Sequence, residues 1–325
     1  MRDLAALPKG HLHLHLEGAM RPATLHELCE REGMAVPVIR GFGSFAAFDA
    51  TYVAACEVLK THDDLARVVR EVVEDAHAAG AVYLEPSYLP VHHRARLGPD
   101  EETLDVVLEA GRTRAAELGI GFGLMLVADR TQDPAQGVVQ ARHAARLADR
   151  GVVSFSLVNA EAGFPPEPHR EAFAVIREAG LISAPHAGEH DGPASVRGAL
   201  DALGARRIAH GVRAAEDPEL VARLAAEGVC LDVCPSSNLA LGVYGSLAEH
   251  PLPALLAAGV RVSLGGDDPL LFGPGLGEEY ELARTELGLG DETLAFIARC
   301  SLEDSGADAD VVARGVAGIE AWLAG

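Results

Sequence analysis

Short hydrophobic runs rich in β-forming residues alternate along the chain with longer amphipathic stretches. Runs of four to eight such residues are typical of strands, whereas a period near 3.6 is typical of helices. The pattern predicts eight strands, which are "HLHLHL" from His11, "AVYLEPS" from Ala81, "IGFGLMLVAD" from Ile120, "VVSFSLVNAE" from Val152, "LISAPHAGE" from Leu181, "RIAHG" from Arg207, "VCLDVCPSSN" from Val229 and "VRVSLGGDD" from Val260. Strands separated by helices favour a parallel sheet.

The stretches between these runs begin and end with residues that favour helix termini. Asp217-Pro218 opens one stretch that Gly228 closes, and Asp133-Pro134 opens another. Asp caps a helix, Pro suits its first turn and Gly ends it. Eight such units in 325 residues suit a closed (β/α)8 TIM barrel. The alternative is an open doubly wound sheet, although no GxGxxG motif follows the first strand. We predict an α/β fold with a single barrel domain over residues 1–325.

Four aromatic residues gather at roughly helical spacing after the first predicted strand, and they are Phe42, Phe45, Phe48 and Tyr52. Large aromatic side chains usually pack into a core, which favours a helix with a buried aromatic stripe. The alternative is a helical flap whose apolar side covers the mouth of the barrel and closes on a flat ligand. Both interpretations predict a helix in this segment.

The composition describes a folded protein with a strongly acidic charge balance. Hydrophobic residues make up 49% of the chain, and the formal net charge is −21. This charge disfavours binding to nucleic acid or to an anionic membrane surface, and it leaves a small molecule as the expected partner. Five cysteines without a CxxC pair, the lack of a signal-peptide pattern and the lack of a long apolar run favour the cytoplasm. The sequence gives no indication of an oligomeric state.

Polar and titratable residues collect where the predicted strands end. They are His13, His15, Glu17, Glu85, Asn159, Glu161, His186, Glu189, His210, Asp267 and Asp268. The carboxyl ends of the strands form the active site in this type of barrel. Placing so many titratable groups there is costly unless a metal or a reaction requires them. The sequence therefore predicts a functional site at this end of the barrel.

Two of these residues, His13 and His15, are two positions apart on the first strand, so their rings lie on one face. A surface strand can show the same pattern by chance, but His186 and Asp267 complete a set of nitrogen and oxygen ligands. Zinc is the commonest occupant of such a set, and Fe(II), Mn(II) or Co(II) are alternatives. The HExxH, PCxxC, G-x-S-x-G and P-loop motifs are absent. These four residues are the predicted metal ligands.

Seven motifs follow one another along most of the chain. They are "LPKGHLHLHLEGAM" from Leu7, "GFPP" from Gly163, "PHAGE" from Pro185, "RIAHGVR" from Arg207, "CPSSN" from Cys234, "SLGGDDP" from Ser263 and "EEYELA" from Glu278. In content and order they closely resemble the motifs of the adenosine deaminase family in the amidohydrolase superfamily. The resemblance implies a metal-dependent (β/α)8 barrel with one zinc ion, acting in purine metabolism.

The resemblance also implies catalytic roles at matching positions. Glu189 resembles the residue that protonates N1 of the purine as C6 is attacked. His210 resembles the residue that orients and deprotonates the water and stabilises the developing charge. Asp268 resembles the group that faces N7. This agrees with the chemistry, because displacing an amine from an aromatic ring needs an activated water and a proton delivered to the ring.

On the substrate side, Glu17 matches a carboxylate directed toward the ribose 5′-hydroxyl, and His15 and Asp268 border the purine. The implied reaction is hydrolytic deamination of adenosine or deoxyadenosine to inosine or deoxyinosine. The alternatives are deamination of adenine or of a modified or N9-substituted adenine, hydrolysis of another C–N bond on the same scaffold, and a non-catalytic zinc-binding protein. Retention of Glu189 and His210 speaks against the last, because a structural zinc site needs no proton shuttle.

Three departures from the family pattern concern specificity. The family's "DLAGDE" is "SLVNAE" here, so that Asn159 replaces a glycine that approaches the purine and is expected to add bulk to the pocket. Ser87 replaces an arginine, and the family's "NTDDP" is "GGDDP". His11 stands where the family usually has Glu, and we expect it to lie beneath the metal as a packing residue.

Overall fold

Eleven short strands and fifteen α-helices make up the part of the chain that the computed structural model describes, residues 2–42 and 44–325. The strands are β1 (Lys9–His11), β2 (Ala81–Leu84), β3 (Ser87–Tyr88), β4 (Gly121–Phe122), β5 (Leu124–Asp129), β6 (Val152–Val158), β7 (Ile182–Ser183), β8 (His186–Ala187), β9 (Arg207–His210), β10 (Cys230–Val233) and β11 (Arg261–Leu264). The helices are α1 (Pro22–Glu32), α2 (Phe45–Cys56), α3 (His62–Ala78), α4 (Arg94–Leu97), α5 (Asp100–Leu118), α6 (Pro134–Arg146), α7 (Arg170–Glu178), α8 (Pro193–Leu203), α9 (Pro218–Glu227), α10 (Pro235–Ala240), α11 (Leu252–Ala257), α12 (Pro269–Phe272), α13 (Leu276–Thr285), α14 (Asp291–Glu303) and α15 (Ala309–Ala324).

The helices begin where the sequence predicts helix caps. The Asp217 side chain accepts hydrogen bonds from the first turn of α9, and Gly228 ends that helix in a left-handed conformation. Asp133 caps α6 in the same way. Thr61 and Asp64 form a reciprocal capping box at the start of α3. These local contacts satisfy backbone N–H groups that a helix leaves free, which explains the three helix starts. Gly151, where the pattern predicts the end of the Asp133 helix, instead follows a separate 3-10 turn, because α6 already ends at Arg146.

The strands form one closed parallel barrel. Hydrogen bonds join them in the orders β1-β2-β4, β3-β5-β6-β7 and β8-β9-β10-β11. Because β2 runs on into β3, β4 into β5 and β7 into β8, the eleven strands occupy eight positions. A parallel bridge between Leu14 and Asp267 joins the chain after β1 to the chain after β11 and closes the barrel. The predicted (β/α)8 fold is confirmed.

The first predicted strand, "HLHLHL", is shorter in the structure than in the sequence pattern. The regular strand β1 ends at His11, and beyond it only Leu14 and His15 form isolated bridges. The backbone still joins the last strand, because His15 N donates to Asp267 O at 2.9 Å and Asp267 N donates to His13 O at 3.1 Å. The two histidines therefore belong to the point at which the barrel closes.

A buried ionic network fills the barrel below the site. Arg207 donates from Nη1 to Glu85 at 2.8 Å and from Nε to Asp232 at 2.9 Å, and all three residues are buried. Ser154 donates to Glu85 and Ser263 donates to Asp232, each at 2.6 Å. Buried charges persist only when they are paired and hydrogen-bonded in this way. Glu85, which the sequence pattern groups with the functional residues, is part of this network.

Helix α2 lies over the mouth of the barrel as a flap. Its Ser44 cap accepts from Ala47 N, and the rings of Phe45 and Phe48 are half-buried and line a cavity, whereas Tyr52 is buried. The two predictions both hold in part, because Phe42 and Phe48 pack against the hydrophobic core while Phe45, Phe48 and Tyr52 line the cavity. Aromatic contacts hold the flap, since Phe48 stacks on Phe272 with ring centroids 5.1 Å apart.

Among the described residues, no helix has both the length and the apolar character needed to cross a bilayer.

Candidate active site

The four predicted metal ligands converge at the carboxyl ends of the strands, although they come from distant parts of the chain. The ring nitrogens of His13, His15 and His186 lie within 4.8 Å of one another. Asp267 Oδ1 lies 3.4 Å from His13 Nε2 and 3.2 Å from His15 Nε2. Three imidazoles and one carboxylate around a single point form a donor set that suits zinc.

Two ring nitrogens at the centre of this cluster lack a protein partner. Nε2 of His13 and Nε2 of His186 are buried and make no hydrogen bond to any described residue. Burying a polar atom without a partner is costly, and a cation that takes the lone pair removes the cost. Burial also lowers the pKa of His186 well below its usual value, which keeps the ring neutral and its lone pair available. The residues present fit a divalent metal ion.

Each predicted ligand is held in place through its second polar atom. These hydrogen bonds join His13 Nδ1 to Asp232 O at 2.7 Å, His15 Nδ1 to Ser87 Oγ at 2.9 Å, His186 Nδ1 to Ser156 Oγ at 2.9 Å and Asp267 Oδ2 to Ser237 Oγ at 2.6 Å. Such partners fix ring orientation and select the tautomer with a free Nε2 lone pair. The serines that depart from the family pattern, Ser87 and Ser156, therefore lie behind the metal cluster.

Backbone strain is concentrated at the same end of the barrel. Three residues other than glycine have positive φ within the described ranges, and they are Asn159 at 79°, His210 at 65° and Asp267 at 57°. Each such conformation costs about 1–3 kcal/mol and persists where the surrounding structure requires it. All three are predicted site residues, so the fold stabilises this end of the barrel against local strain.

Glu189 is the buried carboxyl group next to the metal cluster. Its Oε2 lies 3.5 Å from His210 Nε2, and its Oε1 has no hydrogen-bond partner among the described residues. Burial, reinforced by the negative charge of Asp267, raises the pKa of Glu189 well above its usual value. A carboxyl group that keeps its proton near neutral pH can act as a general acid.

Glu161 organises the loop that carries Glu189. Its carboxylate accepts hydrogen bonds from the side chain of Ser195 at 2.8 Å and from the backbone N–H groups of Gly188, Glu189, His190 and Asp191 at 2.7–2.9 Å. A buried carboxylate that accepts several bonds from one loop fixes its backbone. Glu161 therefore places the Glu189 side chain at the cavity.

Asp268 follows the metal ligand Asp267 and also faces the cavity. It is buried, its Oδ1 has no partner among the described side chains and backbone, and burial together with Asp267 raises the pKa of its carboxyl group well above the usual value. Gly18 makes room for it, since a Cβ atom there would lie 1.7 Å from Asp268 Oδ1. Glycine is thus required where the loop after β1 meets this side chain.

Asn159 lines the cavity, but its side chain is already engaged. Nδ2 donates to Asp129 at 3.2 Å, and Oδ1 accepts from Ala160 N at 2.7 Å. Asparagine tolerates the left-handed backbone that glycine usually occupies, and the local hydrogen bonds stabilise it there. The donor and the acceptor of this amide are therefore used within the protein, although the side chain still adds to the cavity wall.

Glu17 is the predicted site residue that the structure places outside the cavity. It is fully buried, with Oε2 accepting from Tyr52 Oη at 2.8 Å and Oε1 2.5 Å from His93 Nε2. Burial alone would raise its pKa, but the hydrogen bond from His93 lowers it. The carboxylate joins the flap helix to the segment after β3.

The cavity combines apolar walls with the polar cluster described above. Apolar walls come from Leu89, Val127, Val158, Leu241 and the flap rings, while Asp49 and His92 add polar groups near α2. A flat, largely apolar molecule with a few polar edges suits this lining.

Several residues of the site are not evident from the sequence. Ser237 and His93 act through contacts between distant segments, and the motif "CPSSN" contains only the first of them. The sequence pattern includes Tyr52 among the flap aromatics, but not its contact with Glu17. His11 accepts a hydrogen bond from Gly266 N at 3.0 Å and lies outside the metal cluster, as expected for a packing residue. Such residues can be identified only from the folded structure, because their roles depend on which loops the barrel places in contact.

Known proteins resemble this chain over nearly its whole length. The family model described as adenosine deaminase matches residues 8–322. A protein of Streptomyces coelicolor named "Putative adenosine/adenine deaminase" is 43% identical and covers 99% of this chain and 98% of its own length. An aminodeoxyfutalosine deaminase of Acidothermus cellulolyticus is 37% identical, with 86% and 83% covered.

Solved structures show the same fold. The adenine deaminase of Arthrobacter aurescens superimposes with a TM-score of 0.90 at 30% identity, covering 98% of this chain and 99% of its own. An amidohydrolase of Burkholderia ambifaria with bound Zn gives a TM-score of 0.88 at 26% identity, with 99% and 93% covered. This chain belongs to the adenosine deaminase family and is a metal-dependent hydrolase that deaminates an adenine- or adenosine-type substrate.

Proposed function

We propose that this enzyme is a zinc-dependent adenine deaminase, which converts adenine and water to hypoxanthine and ammonia. The catalytic unit is a single barrel domain, since the family match extends over residues 8–322. Similarity to the adenine deaminase of Arthrobacter aurescens supports the free base as substrate.

The observation that carries the choice of free base over nucleoside is the position of Glu17. In the family pattern this carboxylate points toward the ribose 5′-hydroxyl, whereas here Tyr52 and His93 engage its two oxygens and the residue is fully buried. A carboxylate that is fully buried and does not line the cavity gives a ribose hydroxyl no partner. Adenine needs none at this position.

The cavity lining offers no cationic side chain for a phosphate group. No lysine or arginine is among the lining residues in the described ranges, whereas the carboxyl groups of Asp49 and Glu161 are among them. A phosphate group would therefore lack a paired side-chain cation, which favours a neutral purine over a nucleotide.

Zinc is the metal that best fits His13, His15, His186 and Asp267, because borderline nitrogen ligands with one carboxylate suit it. The Zn-bound amidohydrolase of similar fold supports the same assignment. When bound, the metal supplies the Lewis acidity that makes water a strong nucleophile near neutral pH.

Glu189 and Asp268 handle protons at the edge of the purine. Glu189 keeps its proton because its pKa is raised, and it donates to ring nitrogen N1 so that the ring accepts electrons as C6 is attacked. Asp268, which also has a raised pKa, donates a hydrogen bond to N7. His210 lies 3.5 Å from Glu189 Oε2 and presents its ring to the reacting atoms at C6.

The test is a comparison of kcat/KM for adenine, adenosine, deoxyadenosine and AMP, measured by ammonia release with zinc-loaded enzyme. Glu189→Gln serves as the disabled control on the same panel. We expect adenine to be the best substrate and AMP to be inert. Failure to deaminate adenine by an enzyme that retains its metal would contradict the proposal.

Adenosine or deoxyadenosine is the second candidate, favoured by two polar groups near the flap. Asp49 is half-buried, and His92 Nδ1 is buried without a partner in the described chain. Both line the cavity, where sugar hydroxyls can engage them. A higher kcat/KM for either nucleoside than for adenine would establish this alternative.

A further inference from the structure

A chain of hydrogen bonds runs from a helix N-terminus to the catalytic pocket. Leu252 N, at the start of α11, donates to His250 Nδ1 at 3.2 Å, and His250 Nε2 lies 3.2 Å from Asn238 Oδ1. Asn238 Nδ2 lies 3.2 Å from His210 Nδ1. The three side chains are buried, with exposed fractions of 5% or less.

The direction of every bond in this chain follows from its first donor. A backbone N–H can only donate, so Nδ1 of His250 accepts and the single proton of the neutral ring is on Nε2. Asn238 must then present its oxygen to His250 and its NH2 group to His210. Burial lowers the pKa of His250 to about 4, in keeping with a neutral ring.

The hydrogen bond between Asn238 and His210 determines which ring nitrogen of His210 carries the proton. Because Asn238 donates to His210 Nδ1, that nitrogen supplies the lone pair and the proton of the neutral ring is on Nε2. His210 Nε2 is the atom that faces the pocket, 3.5 Å from Glu189 Oε2 and 3.9 Å from Asp267 Oδ2. We propose that His250 and Asn238 are positioning residues that hold His210 in the Nε2–H tautomer. His210 then donates a hydrogen bond to the attacking oxygen, which reacts as hydroxide after its proton has passed to solvent, and His210 does not itself remove that proton.

The resemblance implies two roles for His210, and this assignment keeps the stabilisation of developing charge but excludes deprotonation of the water. An Nε2 that already carries a proton cannot accept one from water, but it can stabilise the negative charge that develops on oxygen as C6 is attacked. A donor oriented before the reaction begins needs no reorganisation, which is the source of its catalytic effect. This proposal depends on the proposed function only in taking adenine as the purine that is attacked.

The direct test is ¹⁵N NMR of the zinc-loaded enzyme labelled at histidine, which distinguishes protonated from unprotonated ring nitrogens. Spectra of His210→Asn and His250→Gln identify the two signals by their loss. We expect Nε2–H with unprotonated Nδ1 at both residues. An Nδ1–H signal for His210 would overturn the proposal, whichever purine the enzyme deaminates.

The kinetic test uses variants that break or preserve the chain. His250→Leu removes both the acceptor and the donor, whereas the amide of His250→Gln supplies an acceptor for Leu252 and a donor for Asn238. We expect His250→Leu to lower kcat by about 10- to 100-fold with little change in KM, and His250→Gln to restore most of the loss. Tyr244→Phe is the matched control, because this ring packs on His250 but its hydroxyl bonds to Val212 O.

The outcomes separate positioning from folding. Equal losses in the Leu and Gln variants, or a loss in KM alone, would contradict the proposal. If His250→Leu fails to fold, the Gln variant and the spectrum of the unmodified enzyme still decide it. A His210 signal with the expected tautomer in an enzyme that prefers adenosine would preserve this inference and refute the adenine proposal.

Discussion

The metal end of the barrel and the flap above it are built in opposite ways. Each predicted metal ligand lies at a strand end, and its second polar atom is held by a hydrogen bond of 2.6–2.9 Å. The flap helix α2 contributes half-buried rings whose contacts are mainly aromatic, such as Phe48 on Phe272. One region is fixed by directional bonds, and the other packs through contacts that tolerate rearrangement.

This difference separates the reaction from the choice of substrate. Directional bonds hold the metal ligands to the accuracy that chemistry requires, whereas aromatic packing can change shape at modest cost. We therefore expect substitutions in the metal region to change kcat or metal affinity, and substitutions in the flap to change KM. The predictions below test that separation.

The largest effect is expected for Glu189→Gln, which removes the transferable proton and keeps the size of the side chain. General acid catalysis contributes about 10²–10⁴-fold, so kcat should fall by that order while zinc affinity stays the same. Steady-state kinetics and chelator competition measure the two quantities. Asp191→Asn, an exposed change in the same loop, is the control. A change in KM alone would contradict the expectation that this region determines kcat and the flap determines KM.

Ser156→Ala should weaken zinc binding by about 10- to 100-fold, because it removes the hydrogen bond that orients His186. Ser154→Ala is a matched control in strand β6, since its hydroxyl donates to Glu85 rather than to a metal ligand. Competition with a chelator measures affinity without relying on turnover. Equal affinity in the two variants would show that Ser156 has no part in holding the metal.

Phe48→Ala should raise KM for the purine by about 2- to 10-fold, the range that aromatic contacts of 0.5–1.5 kcal/mol produce. Zinc affinity and kcat should stay close to their original values. Phe296→Ala on the outer face of α14 is the control, because that ring is exposed. A large fall in zinc affinity in the Phe48 variant would mean that the flap and the metal region are not separate.

The smallest effect on catalysis is expected for Glu279→Gln, a change at a buried carboxyl group of α13 that accepts a hydrogen bond from Ser236 N at 3.3 Å. Burial raises the pKa of Glu279 to about 8, so the folded state binds more protons than the unfolded state between pH 4.5 and 8. Stability of the original protein should therefore fall as pH rises through this window, by up to about 1.4 kcal/mol per pH unit. Urea unfolding at several pH values and saturating zinc should show a smaller fall in the Gln variant.

The control for that experiment is Glu281→Gln, an exposed change on the same helix. It should leave the pH dependence of stability as it is in the original protein. An identical pH dependence in the Glu279 variant would show that this carboxyl group titrates normally in the folded state.

The sequence was sufficient for the barrel and for the residues that converge at its end. Alternating strands and helices, Asp-Pro helix starts and the spacing of His13 and His15 carry local physical meaning, and the structure brings His186 and Asp267 to the same point. The sequence pattern is enough to predict these site residues, because the carboxyl ends of all strands lie on the same side of a closed parallel barrel.

What the sequence could not supply depends on contacts between loops. Glu17 looks like a substrate ligand until Tyr52 and His93 are found on its two oxygens. Asn159 looks like added bulk until its amide is seen bonded to Asp129. In each case the role of the side chain depends on which neighbouring residue hydrogen-bonds to its polar atoms. Only the folded structure shows which neighbour that is.

The bridge that closes the barrel has a consequence for how the enzyme matures. Leu14 meets Asp267 there, and the predicted ligands on either side come from the two ends of the chain. A growing polypeptide that has not yet reached Asp267 lacks this ligand and the bridge that closes the barrel. The complete set of predicted ligands therefore forms only after the segment with Asp267 has been made and has joined the barrel.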